Sequence, residues 1–248
     1  MRLEQRVAIV TGAGRNIGEG IATALADEGA RVVVVDLADD RAQRVASAIN
    51  AAHPNAACAM QADVTSDADV RRVVAETIAH YGGINILVNN VGVVDRKNIL
   101  ETDESEWDRV IGISLKSVFL CAKHVAQHMV DAGQGGRIIN IASTSGHRAR
   151  ADATAYPAAK GGVLHLTRCL AVQLAPYGIR VNSVTPNRVA TGVEAGEVPR
   201  NWQVRNLIGR QITPQDIARA TVFLASDDGD AITGTDLIVD GGVLQMSS

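Results

Sequence analysis

Short apolar runs alternate with longer amphipathic stretches from one end of the chain to the other. The runs span residues 7–10, 31–35, 57–61, 86–88, 137–142, 180–184 and 237–239. Most are rich in Val and Ile and do not alternate with polar residues, the pattern of strands buried on both faces of a parallel sheet. Helical spacing joins Ile17, Ile21, Ala24 and Leu25, with Gly29 as a stop, and recurs at Val70, Val73, Val74 and Ile78 before Gly82-Gly83. Residues 107–129 and 155–174 are apolar on more than one face, as helices buried in a core or at a subunit contact are. Strand–helix alternation with short turns predicts an α/β, doubly wound sheet with right-handed crossovers. No repeat or linker divides the chain, so residues 1–248 read as one domain. Residues 187–213 have little apolar periodicity and are a candidate substrate lid over the ligand crevice.

Composition narrows the class. Of 248 residues, 46% are hydrophobic and 21% charged, enough for a packed core without disulfide staples. A net charge of −3 offers no basic surface for nucleic acid. No apolar run approaches the roughly 18–20 residues that cross a bilayer. The polar start, Met1-Arg2-Leu3-Glu4-Gln5-Arg6, is not read as a signal peptide. Cys58, Cys121 and Cys169 fit neither a disulfide framework nor metal spacing, and read as buried thiols of a reducing cytoplasm.

Two features carry chemistry. The first strand runs into Thr11-Gly12-Ala13-Gly14-Arg15-Asn16-Ile17-Gly18, followed by a helix. A strand, glycine turn and helix bring backbone N–H groups and the positive helix end to one spot, where a phosphate can approach. The second strand ends at Asp36, 18 residues after Gly18, close to where an acid binds a ribose 2′-hydroxyl. A carboxylate there favours NAD and repels the 2′-phosphate of NADP, whereas Arg15 would attract that phosphate. Asp36 weighs more, because it stands where the diol must sit.

The second feature is Tyr156-Pro157-Ala158-Ala159-Lys160, a phenol and an ammonium at i and i+4 on one helix face. The ammonium is expected to lower the phenol pKa and fit it for acid/base work on a carbinol or carbonyl oxygen. Thirteen residues upstream, Ser143 ends a strand at the carboxyl edge of the sheet, where it could hold that oxygen. Alternatively, Ser143, Thr144 and Ser145 are loop and cap residues, and the pair is a snorkelling lysine over a core tyrosine.

Taken together, these residues resemble the short-chain dehydrogenase/reductase family along the whole chain. Thr11-Gly12-x-x-x-Asn16-x-Gly18 is similar to its cofactor loop, Asp63-Val64 to its adenine-contacting pair, and Asn89-Asn90-Val91-Gly92 to its turn after strand four. Ser143, Tyr156 and Lys160 match its catalytic serine, tyrosine and lysine in order and spacing. Asn182-Ser183-Val184-Thr185-Pro186, with Val189 and Thr191, resembles the segment that holds the nicotinamide amide. Residues 232–242 resemble its final strand. The resemblance implies a Rossmann fold with a seven-stranded parallel sheet flanked by helices on both faces, and usually a homotetramer, with a homodimer as the alternative. It implies Tyr156 as acid/base and Ser143 as the ligand of the substrate oxygen. Lys160 would lower the tyrosine pKa and bind the nicotinamide ribose.

The departures matter as well. Asn16 stands in place of a glycine, and its side chain tolerates left-handed backbone. Asn187 follows Pro186 where a glycine is usual. Ser114 occupies the place of the fourth catalytic residue, an asparagine that relays protons, so a reduced or rerouted relay is expected. Pro157 is tolerable only if its helix has barely begun. His124 and His128 stand at i and i+4 without a third metal ligand, and no metal is expected. Arg96, His147, Arg148, Arg150 and Arg188 fall in loops at the crevice mouth. A solvated rim of unrelated charges weighs more there than a receptor for an anionic substrate, such as a carboxylate or a phosphopantetheine.

The leading reading is an NAD-dependent oxidoreductase that interconverts a secondary alcohol and a ketone. An NADPH-dependent 3-oxoacyl-(acyl carrier protein) reductase and a non-catalytic NAD-binding sensor are the alternatives.

Overall fold

The computed structural model describes residues 1–190 and 204–246. Seven strands form one parallel sheet in the order β3-β2-β1-β4-β5-β6-β7. They are β1 (Val7–Thr11), β2 (Arg31–Asp36), β3 (Ala57–Gln61), β4 (Ile86–Asn89), β5 (Gly136–Ile141), β6 (Ile179–Pro186) and β7 (Asp236–Val239). The helices are α1 (Asn16–Asp27), α2 (Asp39–Ala52), α3 (Asp67–Tyr81), α4 (Glu104–Ile111), α5 (Ser117–Ala132), α6 (Ala155–Leu174) and α7 (Pro214–Ala225). This is the doubly wound Rossmann architecture that the runs and their spacing predict.

The side-chain alternation of a strand explains why those runs are apolar throughout. Ala8, Val10, Val32, Val34, Ile86 and Val88 face Ile21, Leu25, Val45, Ile49, Ile217 and Val222 of α1, α2 and α7. The intervening Ile9, Val33, Val35 and Leu87 face Val70, Val73, Leu120, Val125 and Met129 of α3 and α5 on the other side. Strand order reverses between β1 and β4, so the loops after these two strands part there and leave a crevice at the carboxyl edge.

Residues 104–132 form one helical run with a π-helical turn, Gly112–Lys116, joining α4 to α5. By length and composition this run could cross a membrane, but half of its most apolar window is buried inside the fold. It is a core helix.

The centre of the sheet is also tied by polar side chains. Asn89 Nδ2 donates to Asn140 Oδ1 (2.9 Å), Asn140 Nδ2 to Thr167 Oγ1 (2.9 Å), and Thr167 Oγ1 to the Val163 carbonyl (2.8 Å). All three side chains are buried, so the chain of bonds locks β4, β5 and α6 in register. Asn140→Ala would leave the Asn89 amide without this acceptor and should cost about 2–3 kcal/mol. The check is a lower urea midpoint with an unchanged slope.

Candidate active site

The glycine loop is built for close approach. Gly12 has φ +60° and Asn16 φ +55°, so the asparagine adopts the left-handed backbone that its side chain tolerates. A Cβ at Gly14 would lie 2.7 Å from Asp36 Oδ2, and one at Gly18 would overlap the Gly12 carbonyl oxygen. Asn90 Nδ2 donates to the carbonyls of Thr11 (3.1 Å) and Gly12 (3.0 Å), which holds the loop against the β4 end. Val91 packs where a Gly12 side chain would stand. No side chain caps the start of α1, which leaves the positive helix end to a ligand.

Around this cradle, Asp36 Oδ2 accepts from Gly14 N–H (2.9 Å) and Oδ1 from Ala38 N–H (3.1 Å). Arg15 is exposed, Ile17 half-buried against the core, and Asp63 exposed just beyond β3, followed by buried Val64. Gly12, Asn16, Ile17, Gly18, Asp36, Asp63, Val64, Asn90, Val91 and Gly92 thus follow the ends of β1, β2, β3 and β4 along the carboxyl edge. Pro186 closes β6, and Val189 pairs with Ile212. Thr191 and part of the 187–213 segment lie outside the described residues.

Ser143, Tyr156 and Lys160 converge. Ser143 follows β5 and lines the same cavity of about 660 Å³ as Tyr156. Tyr156 is the second residue of α6 and Pro157 the third, so the proline falls in the first turn, where its missing N–H breaks no helical bond. Lys160 is 2% exposed and donates from Nζ to the Ile141 carbonyl at 2.7 Å, with Nζ 5.8 Å from the Tyr156 ring centroid.

The electrostatics differ from the sequence-based expectation. Burial pushes the Tyr156 phenol above its ordinary pKa, while the neighbouring Ser143 hydroxyl and the Arg150 charge pull against that shift. Burial also pushes the Lys160 ammonium down, to about 8. The phenol is therefore held as a protonated acid at neutral pH in this pocket.

Ser114 is buried in the π-helical turn. Its Oγ accepts from Val93 N–H (3.0 Å) and donates to the Val93 carbonyl (3.2 Å). The structure does not bring this hydroxyl into a hydrogen bond with Lys160. A Cβ on Gly92 would stand 3.2 Å from Lys160 Nζ and 3.7 Å from Ser114 Oγ, so Gly92 keeps the space between them open. Asn187 ties two catalytic loops together, because its Oδ1 accepts from Thr144 Oγ1 at 2.9 Å. His124 pairs with Asp67 (2.6 Å) and His128 accepts from Ile84 N–H (3.2 Å), each serving helix packing.

Sequence reasoning missed Asp95. Its carboxylate is 1% exposed and accepts from the N–H groups of Thr154 (2.8 Å), Ala155 (2.8 Å) and Tyr156 (3.1 Å). Burial would raise the pKa of this carboxyl, but the backbone N–H bonds outweigh it and hold the group below the usual aspartate value. Arg205, which lines the cavity with Arg96, Arg148, Arg150 and Arg188, was also missed. His147 is instead engaged by Asp236 at 2.7 Å.

Known proteins share this arrangement. Residues 12–244 match the family model described as enoyl-(acyl carrier protein) reductase. The chain is 41% identical over 242 residues to cis-4-hydroxycyclohexanecarboxylate dehydrogenase of Sinomonas cyclohexanicum, covering 96% of both proteins. It is 36% identical to meso-2,3-butanediol dehydrogenase of Serratia marcescens, covering 98% of this chain and 96% of the relative. Among solved structures, 3-ketoacyl-(acyl-carrier-protein) reductase of Brucella melitensis, complexed with NADH, superposes with a TM-score of 0.89 at 37% identity. That match covers 97% of this chain and 99% of the other. The chain belongs to the short-chain dehydrogenase/reductase family. It is an oxidoreductase of that family, whose members bind a nicotinamide cofactor.

Two outcomes follow. Asp95→Asn should lower kcat about tenfold and cost about 1–3 kcal/mol, because an amide oxygen replaces a charged acceptor of three N–H bonds; paired kinetics and thermal unfolding check both. For Lys160, folded and unfolded chains are both protonated below a pH of about 8, where the cost of burying the charge is full. Between about 8 and the ordinary 10.5 the unfolded chain holds more protons, so stability should climb with pH. Urea unfolding of wild type against Lys160→Met should show this climb only in the wild type.

Proposed function

We propose that this chain is an NAD-dependent dehydrogenase that interconverts a secondary alcohol and a ketone, with Tyr156 moving the proton of the substrate oxygen. Ser143 and Tyr156 lining one cavity, with buried Lys160 beside the Tyr156 ring, carries the reading. Ser143 is placed to hold the substrate oxygen against the phenol. Tyr156, protonated at rest, gives its proton to a carbonyl in reduction and is left as the phenolate; in oxidation the phenolate form takes the proton of the alcohol. Lys160, anchored on the β5 end, lies beside the ring and supports that exchange. A bound nicotinamide supplies the hydride acceptor or donor.

Preference for NAD rests on Asp36. Its carboxylate is fixed by Gly14 and Ala38 beside the glycine loop, where it accepts from ribose hydroxyls and opposes a 2′-phosphate. The names of the relatives support a hydroxyl-bearing substrate. Exposed Phe119 on α5 and Val172 on α6 support the homo-oligomer that the family resemblance implies. The second reading, a 3-oxoacyl-(acyl carrier protein) reductase, is favoured by the Brucella melitensis structure.

The test is nicotinamide absorbance with NAD and NADP in parallel, against secondary alcohols, diols, polyols, hydroxy acids and 3-hydroxyacyl thioesters. Wild type should turn over with NAD, and Tyr156→Phe should lose about 10²–10⁴-fold in kcat. Asp36→Ser should shift the cofactor ratio towards NADP by about tenfold or more. Turnover confined to NADP and thioesters would favour the acyl reductase, and NAD binding without turnover would favour the sensor.

A further inference from the structure

The cavity that holds Ser143 and Tyr156 has a strongly biased wall. Arg96, Arg148, Arg150, Arg188 and Arg205 line it, and among the described residues no Asp or Glu does. The carboxylates nearby are committed elsewhere. Asp152 takes Arg150 through two bonds (3.0 and 2.9 Å), and Asp95 caps α6. Asp236 accepts from Ser183 and Thr185 and pairs with His147, while Asp240 accepts from Gly242 and Leu244 N–H. Only the Arg150 charge on this wall is thereby neutralised by one of these four acids.

Arg148 is the most sharply placed of the five. It lies five residues after Ser143, and its backbone N–H bonds to the Thr144 carbonyl at 3.0 Å, closing the Thr144–Gly146 turn. Its side chain is half-buried, and one guanidinium nitrogen donates to the Val243 carbonyl at 3.1 Å. That partner is neutral. Among the described residues Arg148 forms no ion pair, so a fixed, forked cation faces the cavity uncompensated. Such a group recognises planar anions, carboxylates above all. Exposed Arg96, Arg188 and Arg205 stand at the mouth of the same cavity.

The adenosine and phosphate end of the cofactor does not account for these charges. Its cradle lies at the β1–α1 turn and the β2 end, whereas the arginines come from the loops after β4, β5 and β6 and from the segment before α7. The anion must also be near the reacting carbon, because Arg148 shares one cavity with Ser143 and Tyr156. That favours a compact acid over a carrier-bound chain, whose phosphate would sit far from the carbinol.

We propose that the substrate is a compact hydroxycarboxylate (an oxocarboxylate in the reverse direction), with Arg148 binding its carboxylate while Ser143 and Tyr156 hold the carbinol oxygen. This rests on the dehydrogenase reading above.

The experiment compares linear and cyclic hydroxycarboxylates, each beside its methyl ester, with NAD. In wild type, KM for the acid should be at least about tenfold below that for the ester, and the gap should shrink in high salt. Arg148→Leu should close the gap by raising KM for the acid far more than it changes kcat, and Arg148→Lys should restore part of it. Equal KM for acid and ester, a gap indifferent to salt, or one that survives Arg148→Leu would overturn the proposal. Should Arg148→Leu not fold, the wild-type gap and its salt dependence decide alone. Turnover of neutral diols and esters without preference for acids sinks this proposal and leaves the dehydrogenase standing. Absence of any Tyr156-dependent turnover sinks both.

Discussion

The buried carboxylate of Asp95 sets the position of everything else in the site. A helix begins with four N–H groups that have no partner within it. At the start of α6, Asp95 accepts from three consecutive N–H groups, and Pro157, the next residue, has none to satisfy. Thr154, the local capping position, makes no side-chain cap; its hydroxyl donates to the Lys97 carbonyl. The helix is therefore started by a side chain some sixty residues earlier in the sequence, from the loop after β4. A negative charge at a helix start is favoured by the aligned peptide dipoles, which helps explain why a carboxylate can be kept out of water here. Because Tyr156 is the second residue of that helix and Lys160 stands one turn on, the bond that starts α6 also aims the phenol and the ammonium.

Much of this was legible beforehand, and what was not has a common cause. The seven strands lie within about a residue or two of the apolar runs, because a strand buried on both faces must be apolar throughout. The left-handed Asn16 and the early position of Pro157 could be read from the backbone chemistry of single residues. Asp95 could not, since its role depends on N–H groups brought to it by the crossing of two loops. Nothing in Val93-Val94-Asp95-Arg96 marks it as a cap, and at most the lack of a good local cap before Tyr156 hints that one must come from elsewhere. Arg205 was hidden for the same reason. The i, i+4 spacing of Tyr156 and Lys160 reports neighbourhood and not burial, and burial is the largest influence on the phenol here. The reduced or rerouted relay expected at Ser114 is untouched by this, and which partner its hydroxyl takes, Val93 in the π-helical turn, could not be read from sequence.

Along the carboxyl edge the two halves of the sheet fix their charged side chains differently. On the β2 side Asp36 is fixed by backbone N–H groups beside Gly12, Gly14 and Gly18, which leave no room for a side chain. On the β4–β6 side the wall is arginine, with its neighbouring acids bound to other groups. The uncapped start of α1 lies between them.

The bridge between Val189 and Ile212 has a bearing on how such a site diversifies. Ala190 N–H bonds to the Ile212 carbonyl at 2.9 Å, so the chain leaves the frame and rejoins it at neighbouring points. What lies between two clamped stems can be lengthened, shortened or exchanged with only a small change in closure entropy and no shift in the strands that carry Ser143 and the cofactor cradle. The same frame can thereby carry inserts of different length and sequence at this point without rebuilding the strands beneath.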